Sequence, residues 1–182
     1  MIRCRDGLGG IMEFTCHTTY DQKALTAMAR ALRKTVRAKR SRRIRFVVWI
    51  IIGLLLVSIW LSWGSLWQTV ADCAVMAALL LLHWKEDALN GFFAKRKALP
   101  GTDFADTAFY GDDYLVKTSA AETKWRYDSI LALAETKEFL ILVVGMNHAM
   151  ALEKVTLTGG SLPEFRRFLE EKSGREVQNI GG

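Results

Sequence analysis

Asp72 is an ionisable side chain in a place that makes one expensive. It is the sole charge in the 19 residues from Leu66 to Trp84, and 12 uncharged residues separate it from Lys85. A helix through this run cannot slide the carboxylate out. By the helical rise it would sit roughly 9 Å inside the nearer end. Ionisable residues at such depth in a membrane face a partner or a watered cavity, and they mark transport or relay sites. Gln68 falls one turn away on the same helical face, while Ser58 and Ser62 reach comparable depth from the preceding apolar run. A plainer alternative is an Asp near the interface, hydrated or hydrogen-bonded to Ser58. Two helices alone cannot line a conduit, so a transport role would require a homo-oligomer. Ala74 and Ala78 make a small-xxx-small pair, and Gly53 opens the first helix to close approach.

The second chemistry is cationic. Arg37, Lys39, Arg40, Arg42, Arg43 and Arg45 form a collar before the first apolar run. Ten of the 25 Lys and Arg residues lie between Lys23 and Arg45, so the net charge of +6 is local. One reading of the collar is a topology signal with snorkelling side chains. Another is recognition of anionic lipid, each surface cation contributing ~1 kcal/mol. Nucleic acid is a poor partner, since no aromatics interleave with these cations.

Catalytic and metal-binding patterns are missing. His17, His83 and His148 are scattered, and Cys16 has no His and acid at a readable spacing. Cys4, Cys16 and Cys73 lack metal-ligand spacing and are expected as free thiols. Gly9-Gly10 and Gly159-Gly160 lack the Lys-Ser/Thr ending of a phosphate loop, and Asp112-Asp113 fits a turn. The expectation is a non-enzyme without cofactor or metal.

The elements that must carry these groups are dominated by two apolar runs, Phe46 to Trp63 and Leu66 to Trp84, separated by Gly64 and Ser65. The first has 18 uncharged residues, which span ~27 Å as a helix against a ~30 Å hydrocarbon core. So short a connection predicts an antiparallel transmembrane hairpin. Cations flank the outer ends of both runs, including Lys85, Lys95, Arg96 and Lys97, while the turn carries none. Both termini are therefore expected in the cytoplasm, with Trp60, Trp63 and Trp67 at the far interface of a multi-pass protein of the cell (inner) membrane. A cleaved signal peptide fits poorly, because 45 residues precede the first run and bulky Trp follows it.

Before the hairpin, Leu25, Met28, Leu32 and Val36 form a narrow stripe at helical spacing, with Asp21 as the N-cap. After it, Lys85 to Lys97 reads as an interfacial exit broken at Asn90-Gly91 and anchored by Phe92-Phe93. From Pro100 the pattern turns to short strands, at Phe104 to Tyr110, Tyr114 to Thr118, Thr123 to Tyr127, Ile130 to Ala134, Phe139 to Val144 and His148 to Leu152. Trp125, Tyr127 and Phe139 are core candidates. A closing helix starts at a capping box of Ser161 and Glu164 around Pro163, and Gly174 stops it. Met12 to Thr18 reads as one more strand able to join the sheet.

In domain terms, residues 1–11 are a tail or over-extended start, 12–19 a strand joining the C-terminal sheet, and 20–45 a basic amphipathic helix and collar. Residues 46–63 and 66–84 are the spans, 100–174 a small β domain, and 175–182 a tail. The fold class is membrane α+β.

This arrangement resembles the YcxB-like family of bacterial membrane proteins. The similarity lies in Met12-Glu-Phe-Thr-Cys-His17, the basic stretch into the hairpin, Glu122-Thr-Lys-Trp-Arg-Tyr-Asp-Ser-Ile130, Glu135-Thr-Lys-Glu-Phe-Leu-Ile-Leu-Val-Val144 and Pro163-Glu-Phe-Arg-Arg-Phe-Leu169. It covers about residues 12 to 172 through loose patterns of Trp, Tyr, Ile and Glu. The resemblance implies a pleckstrin-homology-like antiparallel β domain closed by a helix, and a cell-membrane location, but no reaction. Two functions are therefore expected: a membrane-tethered scaffold or regulatory module binding a protein, peptide or lipid, or a small oligomeric transporter or channel using Asp72.

The topology expectation is directly testable. A reporter active only outside the cell membrane should be silent when fused at residue 1 or 182 and active when inserted in the Gly64-Ser65 turn. Activity at either terminus would overturn the cation argument.

Overall fold

Phe139-Leu-Ile-Leu-Val143 has no polar face, and the reason organises the fold: both sides of this strand are covered. Alternate residues of a strand point to opposite faces. Leu140 and Leu142 enter one core cluster, whereas Phe139, Ile141 and Val143 enter another. A strand buried on both faces reads as a continuous apolar run.

The structure is a computed structural model that describes residues 13–61, 65–97 and 101–181. The expected N-terminal tail, Met12, Cys4, Gly64 and the Pro100 boundary lie outside the described residues. The chain is α+β. In order it forms β1 (Phe14–Thr19), α1 (Gln22–Lys34), α2 (Ala38–Leu61), α3 (Leu66–Trp84) and α4 (Glu86–Arg96). There follow β2 (Phe104–Phe109), β3 (Asp113–Lys117), β4 (Glu122–Arg126), β5 (Ala132–Glu135), β6 (Phe139–Val143), β7 (Ala149–Glu153), α5 (Leu162–Ser173) and β8 (Val177–Asn179). Both α2 and α3 are long and apolar enough to cross a membrane, and almost none of their apolar surface is covered.

The strands form two four-stranded sheets, β1-β2-β3-β4 and β7-β6-β5-β8. All pairings are antiparallel except β5 with β8. Strand β1 pairs along its whole length with β2, from Phe14 opposite Phe109 to Thr19 opposite Phe104. The segment preceding the two long helices is thus knitted to the segment following them, so α2 and α3 leave the domain and return to it.

The main core lies between the sheets. Phe14, Phe109, Tyr114, Tyr127, Leu140 and Leu152 meet Phe165 and Leu169 of α5 there, and Trp125 packs partly buried against them. The Phe165 ring stands nearly edge-on to Phe109, with centroids 4.9 Å apart. Helix α5 begins at the expected capping box, where Glu164 accepts from the Ser161 backbone N–H at 2.7 Å, and it ends at Gly174 in the left-handed region. Buried Glu135 fastens the helix to the second sheet, pairing with Lys154 at 2.6 Å and with Arg166.

Three sequence expectations need correction. Residues 175–182 are not a tail: β8 runs parallel to β5, the Ile180 N–H donates to the Glu135 carbonyl at 2.9 Å, and the Ile180 side chain is buried. The basic amphipathic helix and collar expected over residues 20–45 are two elements, since α1 ends at Lys34 and α2 begins at Ala38, running unbroken through the collar into the apolar run. The stripe read from Leu25, Met28, Leu32 and Val36 is only part of the buried face of α1: Leu32 is buried against the second sheet and Met28 and Val36 pack partly buried beside it, but Leu25 is not in that core. Asp21 caps the helix as expected, accepting from the Ala24 N–H at 2.8 Å, and the rest of the face against the second sheet is Ala24, Ala27 and Ala31. Opposite stand Ala132, Ala134, Ala149 and Ala151, and small residues on both sides bring the helix close.

If the C-terminal strand is integral, Ile180→Ala should destabilise the protein by about 2–5 kcal/mol, as large-to-small core changes do. A free tail would tolerate the change within ~0.5 kcal/mol. Thermal or denaturant unfolding in detergent separates the two.

Candidate functional site

The polar groups singled out in the apolar helices come together only in part. Along α2 the better-shielded positions include Val48, Ile52, Leu55 and Ile59, and along α3 they include Thr69, Asp72, Met76, Leu79 and His83. These alternating steps of three and four are the seam of two helices lying along each other. Asp72 sits in that seam, and the Ser58 hydroxyl donates to its Oδ2 at 2.8 Å. Gln68 does not join them; it lies exposed. Gly53 supports no close approach either, for a Cβ there would meet nothing within 4 Å, and Ala74 and Ala78 are exposed.

The richer site lies at the base of the hairpin. The chain turns from α1 into α2 through Thr35, Val36 and Arg37, with the Thr35 N–H bonded to the Ala31 carbonyl and the Arg37 N–H to the Leu32 carbonyl. Helix α4 returns antiparallel to the hairpin's departure and packs along α1. Here Asn90-Gly91 is not a break. The helix continues through it, and Gly91 is buried because a Cβ would come within 2.7 Å of Thr26 Oγ1 and 2.9 Å of its backbone nitrogen. Asp87 clasps the two helices. Arg33 donates to its two carboxylate oxygens at 2.7 Å each, and Arg30 adds a longer contact at 3.4 Å. Hydrogen bonding to Asp87 raises the Arg33 pKa further and holds its charge.

Between α1, α2, α4 and the β6–β7 turn remains a cleft of about 610 Å³. Arg40, Ser41 and Ile44 line it from α2, at the spacing of one helical face, and Arg37 from the turn just before it. Leu25, Met28 and Leu32 line it from α1, and Phe93 and Lys97 from α4. The residues expected on the core side of α1 therefore look largely into this cleft.

The collar is consequently not uniform. Arg37 is committed to the domain, its Nε donating to the Met146 carbonyl at 2.7 Å and its other nitrogen to Asn147. Lys39, Arg42 and Arg43 lie with Phe46 and Val47 on a different face of α2, and Arg45 is exposed. Arg40 and Lys97 face the cleft with no ion-pair partner among the described residues. Beside Arg40, the Ser41 hydroxyl is buried without a hydrogen bond. Glu86, Asn90 and His148 add to the polar lining.

Cys16 is buried, contacts Thr156 Oγ1 and the Glu153 carbonyl at 3.3 Å, and burial pushes its thiol pKa up. His17 follows it on a strand and so points away, pairing with exposed Asp106 at 2.6 Å. Cys16 and Cys73 are free. Asp87 and the β6–β7 turn were not legible as site residues, because their importance comes from pairing across 54 and 109 positions of sequence, and Ser41 because its burial depends on the neighbouring elements.

Comparison with family models, with curated proteins and with solved structures gives no match to this chain.

The tight helix contact makes one strong demand. Gly91→Ala should force α4 away from α1 and destabilise the protein by about 1–3 kcal/mol, the usual cost of overpacking. At ~2–4 °C per kcal/mol for a chain of this size, the melting temperature should fall measurably. Gly53→Ala should leave it unchanged.

Proposed function

We propose that this chain is an integral membrane protein in which α2 and α3 cross the bilayer as a hairpin and the two-sheet domain works beneath it as a tethered interaction module. The observation that carries the reading is the bare apolar surface of the two helices. Leu66 and Trp67 are 84% and 85% exposed, and Trp49, Leu54 and Trp60 all exceed 60%. Water would not tolerate a continuous patch of that size on a lone protein, whereas lipid covers it. The cations at the base and their lack at the turn support termini in the cytoplasm of a cell with this protein in its inner membrane.

The sequence resemblance to the YcxB-like family supports the same assignment. Two sheets enclosing a core that a C-terminal helix closes suit a pleckstrin-homology-like domain. Its partner on this reading is a protein or peptide on the cytoplasmic side, with anionic lipid at the collar, and no catalysis is invoked. The transporter alternative draws less support. Ser58 already donates to Asp72 within the hairpin, so the acid has a polar partner without a third helix.

The module reading predicts that the protein stays with membranes washed in alkaline carbonate, and that replacing residues 46–84 by an unrelated two-helix hairpin preserves capture of the partner. Asp72→Asn should behave as wild type. Release by carbonate would sink the membrane assignment; loss of function in both altered proteins would favour the transporter.

A further inference from the structure

The cleft at the hairpin base is a place where fixed positive charge, a buried unsatisfied hydroxyl and apolar walls converge. Its polar groups divide cleanly by commitment. Arg33 is held by Asp87, and Arg37 by Met146 and Asn147. Arg40 on α2 and Lys97 at the end of α4 approach it from different sides, with no ion-pair partner among the described residues. The Ser41 side chain is 94% buried, its residue being 6% exposed, and its hydroxyl has no partner. A buried hydroxyl of this kind is costly unless something accepts its hydrogen. Two cations and a hydroxyl donor together suit a tetrahedral anion with several acceptor oxygens.

We infer that this cleft binds the anionic headgroup of a membrane phospholipid, Arg40 and Lys97 meeting the phosphate and Ser41 donating to it. The inference rests on the membrane reading of α2 and α3. Three features single out a lipid from a soluble phosphate. Arg40 lies six residues before Phe46, about 9 Å along the helix from the start of the apolar run and so at headgroup level. Ile44 and Phe93 line the same cleft with apolar surface that only the glycerol and first acyl carbons of a lipid would use. The volume, about 610 Å³, suits a headgroup and its glycerol and is too small for a partner helix. Glu86 at the lining opposes a second negative charge, which favours a singly charged phosphodiester such as phosphatidylglycerol over a phosphomonoester.

The test uses the full chain, purified in mild detergent and examined by native mass spectrometry with added phosphatidylglycerol or phosphatidylcholine. Wild type should retain phosphatidylglycerol at least fivefold better than phosphatidylcholine. Arg40→Gln with Lys97→Gln should abolish that preference, and Ser41→Leu, which fills the cleft without changing charge, should reduce it likewise. Arg42→Gln with Arg43→Gln removes the same charge from another face and should stay within twofold of wild type. Equal losses in the two double variants would reduce the effect to diffuse attraction and overturn the site, as would equal retention of both lipids. Displacement of bound lipid by free glycerol 3-phosphate at equal concentration would overturn the lipid as occupant. Carbonate-washed membranes, prepared in parallel, keep the two readings apart. Protein that stays in them yet shows no lipid preference refutes the cleft alone, whereas protein that washes out refutes the membrane assignment beneath it.

Discussion

The helices of the hairpin and α4 are joined to the sheets chiefly through α1. One of its faces is alanine, laid on the alanines of β5 and β7; another meets α4 at Gly91, where no larger residue fits. Between the two, Asp87 receives Arg33 in a fork and Arg30 at longer range. Planar guanidinium against carboxylate is the geometry in which a partly buried ion pair holds direction as well as charge. Without that clasp the hairpin base would keep the helix contact at Gly91, the Gln22 bond to the Ala88 carbonyl and the Arg37 bonds to Met146 and Asn147.

The same contact explains why the cationic collar divides as it does. A helix presents four directions, and at the base of α2 they are not equivalent. One is taken by the domain through Arg37, one borders the cleft through Arg40 and Ser41, and one carries Lys39, Arg42 and Arg43 outward. Cations that look interchangeable in sequence thus do different work. Arg37 helps build the structure, and the outward group is free to act on whatever surrounds the helix.

Much of this was legible in the residues. Leu66 to Trp84 matches α3 residue for residue, and the strands from Phe104 to Glu153 follow the expected order, because alternation, turn residues and apolar run length are local signals. The Ser161 capping box and the Asp21 cap are local as well. What escaped depends on neighbours distant in the chain. The stripe on α1 favoured Leu25 and Met28 over Ala24, Ala27 and Ala31, since alanine carries little hydrophobic signal although it permits the closest packing. Asn90-Gly91 looked like a break until the glycine was seen to serve helix contact. Val177 to Ile180 is short and polar enough to pass for a tail, and only the free edge of β5 makes it a strand. At the site, the Ser58–Asp72 hydrogen bond is one of the alternatives that the sequence leaves open, whereas Gln68 depends on a helix rotation that sequence does not fix.

The account stands on α2 and α3 lying in lipid, and spin labels read that environment directly. Cysteines placed singly at Leu54 and Val75, spin-labelled in protein reconstituted into phospholipid bilayers, should relax strongly with dissolved oxygen and weakly with a water-soluble nickel complex. Labels at the exposed strand positions Thr123 and Arg126 should show the reverse. Strong relaxation by the nickel complex at both Leu54 and Val75 would place the helices in water and contradict the account.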